Sequence, residues 1–196
     1  MNKIIKKLFN IRYNIIIFIV EAICMILELV ASRILSPYFG NSNIIWTSII
    51  GIILLSSSIG NYLGGKIADK NNIEKNLKFL LLLSATYILF IPFVEEYFLK
   101  TIVEFIHNIK LGAILSSILL FFIPSMFMGF IVPIILKLKL NSLENSGKIS
   151  GNFYAISTLG GIIRNFFRRI LAYTQFRKYF NIIYTISNFI LISTYC

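Results

Sequence analysis

Charge is scarce in this chain, and so are the residues from which soluble sites are built. Of 196 residues only 14% are charged, with one histidine, two cysteines and one tryptophan. An ordinary soluble domain carries about 25% charged residues. Cys24 and Cys196 stand at no metal or redox spacing, which excludes a disulfide scaffold and a cysteine-based metal site. There is no nucleophile–base pair and no glycine-rich dinucleotide turn. No catalytic residue, cofactor or metal ligand is therefore expected. Period-2 alternation with recurrent turns is also missing, which argues against a transmembrane barrel.

What the chain has in excess is apolar side chain, at 57% where a soluble domain carries about 45–50%. That is too much to bury in one core of this size, and it excludes disorder. The expectation is an all-α, polytopic transmembrane bundle whose solvent is lipid. The net charge of +11, from 19 basic and 8 acidic residues, would suggest nucleic acid in a soluble protein. Here the bases sit between apolar runs, where they set orientation in a bilayer. The expected partner is the lipid bilayer, with no nucleic acid.

About six helices are expected: Tyr13–Leu35, Asn43–Ile67, Leu77–Phe98, Leu111–Leu136, one starting near Ser150, and Phe180–Tyr195. The first is too long for a signal-peptide core and is interrupted by Glu21 and Glu28, so it reads as a retained anchor. The leader (Lys3, Lys6, Lys7, Arg12), the loop with Lys66, Lys70, Lys75 and Lys78, and the loop with Lys137, Lys139 and Lys148 all fall on one side. That side is cytoplasmic by the positive-inside rule. Arg164, Arg168, Arg169, Arg177 and Lys178 break the pattern, because parity would place them outside.

Glu21 and Glu28, seven residues apart, share one face of the first helix. A carboxylate at mid-bilayer costs about 2.5–3.5 kcal/mol on insertion scales, and such residues face a bundle interior or a wet cavity. They are ligand-binding candidates, with Arg33 as a third. The alternative is that Glu28 pairs with Arg33 or hydrogen-bonds a neighbouring Ser or Asn. Ser56, Gly60, Gly64 and Ala68 recur every four residues and form a flat ridge for close helix packing. The stretch Gly60–Ile67, GNYLGGKI, approaches a phosphate-binding loop, but Ile67 stands where Ser or Thr must hold magnesium and no strand precedes it. Pro124, Gly129 and Pro133 predict a kinked fourth helix. His107 reads as a surface residue.

Gly65-Lys66-Ile67-Ala68-Asp69-Lys70 resembles the first half of the signature between helices two and three of major facilitator transporters. In that family the glycine permits close packing and the aspartate ties helix ends as a conformational latch. Gly65, Asp69 and Lys70 are thus latch candidates, with capping or loop solvation by Asp69 as the alternative. The second half of the signature is missing, since Asn71 and Asn72 follow.

The run from Glu28 to Lys70, ELVASRILSPYFGNSNIIWTSIIGIILLSSSIGNYLGGKIADK, resembles the membrane-embedded N-terminal part of spermidine synthase-like proteins. Glu28, Arg33, Pro37, Phe39, Gly40, Trp46, Gly60, Gly64, Gly65 and Asp69 fall on that pattern. Pro124, Met128, Gly129 and Pro133 continue it, then Gly151, Tyr154, Ser157, Thr158, Leu159 and Gly160. The resemblance covers residues 21–163. It implies a major-facilitator-like half-bundle, fused in longer relatives to a soluble aminopropyltransferase domain of α/β fold. No residues of that domain are present, so an enzyme assignment would rest on the family's name alone. Polyamine transport or anchoring is the implied role, in a bacterial or archaeal membrane, with a separate or downstream aminopropyltransferase domain as partner. A second reading is a small six-helix transporter acting as a homodimer of half-bundles.

After Ile163 the resemblance stops, and the chain reads RNFFRRILAYTQFRK where the family has a glycine-rich crossing. With AGG for arginine, AAC for Asn165 and permitted codons thereafter, a frame moved one base forward reads GTFLGGFLPIPNLG, which fits. The expectation is a transmembrane domain over 1–163, then a frameshifted or atypical segment, 164–196, with one further helix. Reporter fusions at Asn72 and Asn108 test the topology: they are expected on opposite faces of the membrane, and equal signals would refute it.

Overall fold

The computed structural model describes residues 3–69, 72–140 and 146–171, with side chains between residues 11 and 162. The described residues form helices and no strand. The elements are α1 (Lys3–Phe39), α2 (Asn43–Ala68), α3 (Ile73–Phe105), α4 (Ile109–Lys139) and α5 (Ser146–Leu171). Four helices, α1 to α4, are long and apolar enough to cross a membrane. The bundle is thus all-helical, with five described helices where about six are expected. The sixth, Phe180–Tyr195, and Arg177 and Lys178 lie outside the described residues. The α5 backbone begins at Ser146, before the expected Ser150, and is continuous across Ile163.

Long helices follow from the solvent, because hydrocarbon offers no partner to an open N–H or C=O. The breaks occur where local chemistry closes them. Gly40 ends α1 with φ +85°, a conformation that favours glycine, and its N–H donates to the Ser36 carbonyl at 2.9 Å. The Trp46 indole N–H donates to Asn41 Oδ1 at 3.1 Å across the same turn. Asn108 caps α4, accepting from the N–H groups of Lys110 and Leu111. The turns between α1, α2, α3 and α4 are only three or four residues long, so consecutive helices are antiparallel.

Two parallel pairs organise the bundle. In one, α2 lies against α4. A Cβ on Gly60 would collide with the Met126 carbonyl, one on Gly64 would sit 2.6 Å from Phe130 Cα, and one on Gly129 would sit 2.6 Å from the Ser57 carbonyl. The two backbones therefore touch with no side chains between them. Ser56, Gly60, Gly64 and Ala68 are all buried along this side of α2. In the other pair α5 runs beside α1. A Cβ on Gly160 would strike the Phe18 carbonyl, and one on Gly161 would meet the Met25 side chain at 3.1 Å. Phe153 of α5 is fully buried.

The kink expected in α4 takes a specific form. Residues Ile118–Phe122 make a wide π-type turn just before Pro124. In that register the Leu119 carbonyl is the one that Pro124, having no N–H, cannot serve. The hydroxyl of Tyr87, on α3, donates to it at 3.2 Å.

The outer face is apolar: Leu54, Phe79, Phe90 and Phe93 are each more than half exposed. In water such a surface would aggregate; in lipid it faces its own solvent. The ridge supplies a direct test. Gly60→Ala is expected to lower thermal stability in detergent by about 1–3 kcal/mol through overpacking. Gly65→Ala is expected to leave it unchanged, because a Cβ there meets nothing within 4 Å. Equal effects would refute the seam.

Candidate functional site

Three helices leave a gap beside the seam. Glu21, Cys24, Met25 and Glu28 of α1, Ile53, Leu54, Ser57 and Asn61 of α2, and Met128 and Gly129 of α4 enclose a cavity of ≈ 230 Å³. The two carboxylates project into one space because seven residues are close to two helical turns, which separates them by about 10 Å along α1. Gly129, whose missing side chain lets α4 reach the α2 backbone, also lines the gap. The polar lining is Glu21, Cys24, Glu28, Ser57 and Asn61, and no lysine or arginine is among the lining residues. Ser57 lies beside the Cys24 thiol. From α5, Ser157 offers its hydroxyl to Glu21.

The mouth is open on the outer surface. Leu54 is 60% exposed and Met25 38%, and Asn61 is exposed. Glu21 and Glu28 are half-buried. An organic cation placed here would meet two carboxylates and two neutral acceptors against apolar walls. The desolvated carboxylates would attract it more strongly than surface ones.

Arg33 is not part of this arrangement. It is exposed and makes no ion pair with Glu28 among the described residues. The physical reason is angular: five residues carry Arg33 about 140° around the helix from Glu28. The alternative in which Glu28 is neutralised by Arg33 is corrected accordingly.

The latch candidates divide. Lys137 Nζ donates to Asp69 Oδ1 at 2.9 Å, joining the end of α2 to the end of α4. Both side chains are more than half exposed, so the pair contributes only about 0–1 kcal/mol. Gly65 faces open space and permits no close packing; Gly60 and Gly64 hold that role. Lys70 lies outside the described residues. Lys66 Nζ instead sits 4.3 Å from the centre of the Tyr62 ring. His107 is exposed.

Several residues of the site escape a reading of the sequence. Ser57 and Asn61 stand four apart on α2 and so share a face, a spacing masked by the serine run around them. Lys137 stands on the side of the membrane expected for Asp69. The junction of α1, α4 and α5 is held by buried Lys139, which donates to Asn14 Oδ1 and lies 5.5 Å from the centre of the Phe153 ring. Tyr13 donates to Glu74 Oε1 at 3.2 Å, tying α1 to α3 at the same end. No family model, curated protein or solved structure matches the chain.

Proposed function

We propose that this chain is an integral membrane domain of the spermidine synthase-like type, with its N-terminus in the cytoplasm, and that its cleft binds an organic polycation. Polyamines are the class that the resemblance implies, and transport or retention at the membrane is the role. One observation carries the reading: Glu21 and Glu28 line a single cavity between α1, α2 and α4 that has no basic residue in its wall. Carboxylates at such depth are costly unless a positive charge, a proton or water answers them. A linear polyamine supplies spaced positive charges joined by methylenes. The charges match the carboxylates, and the methylenes match Val20, Met25, Ile53 and Leu54. The Asp69–Lys137 pair joins the ends of α2 and α4, about 12 Å along α2 from Asn61.

The test is spermidine binding to the full chain, by calorimetry in detergent or liposomes. Glu28→Gln and Glu21→Gln keep size and remove charge. Each is expected to weaken binding about tenfold or more, with unchanged helical content, since a charge-assisted contact is worth about 1.5–3 kcal/mol. Arg33→Gln is expected to leave binding unaltered. Binding indifferent to both glutamate changes would end the proposal.

A further inference from the structure

Charge is divided unevenly between the two ends of the bundle. At the end where α1 begins, Lys66 of α2, Lys75 and Lys78 of α3 and Lys148 of α5 are all exposed, and none makes an ion pair among the described residues. At the opposite end the lysine on α3 is answered within its own helix. Lys100 Nζ stands 2.7 Å from Glu96 Oε1, and Glu104 follows four residues later.

One outward face of α3 carries a lysine near each end. Lys75, Leu82, Phe93 and Lys100 fall within about 20° of one another around the axis, and all four are exposed. Phe79 and Phe90 widen the same apolar stripe, at 63% and 58% exposed. Lys75 and Lys100 are about 37 Å apart along the helix, between the about 30 Å of a hydrocarbon core and the about 40–45 Å that includes headgroups. Each ammonium therefore reaches headgroup level, with lipid-facing side chains between them. Lys78, one turn from Lys75, adds a second positive charge on that side. Glu74, the neighbouring carboxylate, accepts from Tyr13 of α1 at 3.2 Å instead. Among the described residues, then, the stripe ends in two unanswered positive charges at one membrane surface and in an answered one at the other.

We propose that the first turns of α3 are a seat for an anionic phospholipid, its headgroup phosphate against Lys75 and Lys78 and its acyl chains on Phe79 and Leu82. Charge complementarity selects the occupant. A zwitterionic headgroup carries its own ammonium and gains little from two more, whereas an anionic one brings net negative charge to a basic surface. The apolar stripe commits the seat to lipid, because a soluble phosphate would meet the lysines alone. The Lys100–Glu96 end has no such preference, its charge being met within the helix. The seat is separate from the acidic cleft, none of whose lining residues is on α3, so it stands whether or not the cleft takes a cation.

The two ends of the stripe make a matched test. Trp46 is the only tryptophan, so a Trp46→Phe background can carry Leu82→Trp to report on lipid at the Lys75 end, or Phe93→Trp to report at the Lys100 end. The full chain is reconstituted in vesicles of phosphatidylcholine and phosphatidylglycerol, with brominated chains on one lipid or the other, and quenching gives their relative affinity. With Leu82→Trp, phosphatidylglycerol is expected to be preferred about fivefold or more, the weight of one to two lysines near an anionic headgroup. With Phe93→Trp no preference is expected. Adding Lys75→Gln and Lys78→Gln is expected to abolish the preference with unchanged helical content. Equal quenching by the two lipids with Leu82→Trp would overturn the proposal. So would the same preference at both positions, or a preference that survives loss of both lysines. The chain with Trp46 in place gives a second measure, the immobilised fraction of spin-labelled lipid. An excess of phosphatidylglycerol that falls with Lys75→Gln/Lys78→Gln supports the seat, and phosphatidylglycerol held no more than phosphatidylcholine overturns it.

Discussion

Over two turns of α2 and α4 the backbones are in contact, and the position of the acidic cleft depends on that contact. In water, burying apolar side chains would drive two helices together; in lipid that force is absent, and close backbone packing takes its place. Gly60, Gly64 and Gly129 supply it by having nothing to interpose. A helix pair drawn so close cannot also fill the space beside it. The volume bounded by Ser57, Asn61, Gly129 and the acidic face of α1 is what remains.

Glu21 and Glu28 both line that remaining volume. Two exposed carboxylates outside the cleft have a positive partner: Lys137 answers Asp69 and Lys100 answers Glu96 at 2.7 Å. The cleft has none in its wall. Its hydroxyl, thiol and amide groups are neutral, and Arg33 points elsewhere. Within the cleft, charge balance is therefore left to a proton or to something that enters. The proposed cationic ligand answers that deficit.

The spans and the ridge were legible because their periodicities are strong. Four long apolar runs mark α1 to α4, and Ser56, Gly60, Gly64 and Ala68 repeat without error. Helix limits were less so. The expected end of α3 at Phe98 falls short of Phe105, because Glu95, Glu96, Lys100 and Glu104 interrupt the apolar count. Yet Glu96 and Lys100, four apart, support one another on a helix. The two glutamates were legible as a shared face, whereas their surroundings were not, since Ser57, beside Cys24, lies on another helix and Ser157, beside Glu21, on a third. The π-type turn was hidden altogether. Pro124 announces a disturbance, but the group that makes it tolerable is Tyr87, 37 residues earlier. Asp69 pairs with Lys137 across 68 residues, a contact that only topology creates.

The central claim is that the face of α1 between Glu21 and Glu28 lines a cation-selective cleft, and Cys24 is placed to report on it. In a Cys196→Ser background, the chain in liposomes can be exposed to a cationic and an anionic methanethiosulfonate of similar size. The account predicts that the cationic reagent modifies Cys24 at least about tenfold faster, and that spermidine slows it. The preference is expected to collapse in Glu21→Gln/Glu28→Gln protein. Equal rates for the two reagents in wild type, or no modification by either, would contradict it.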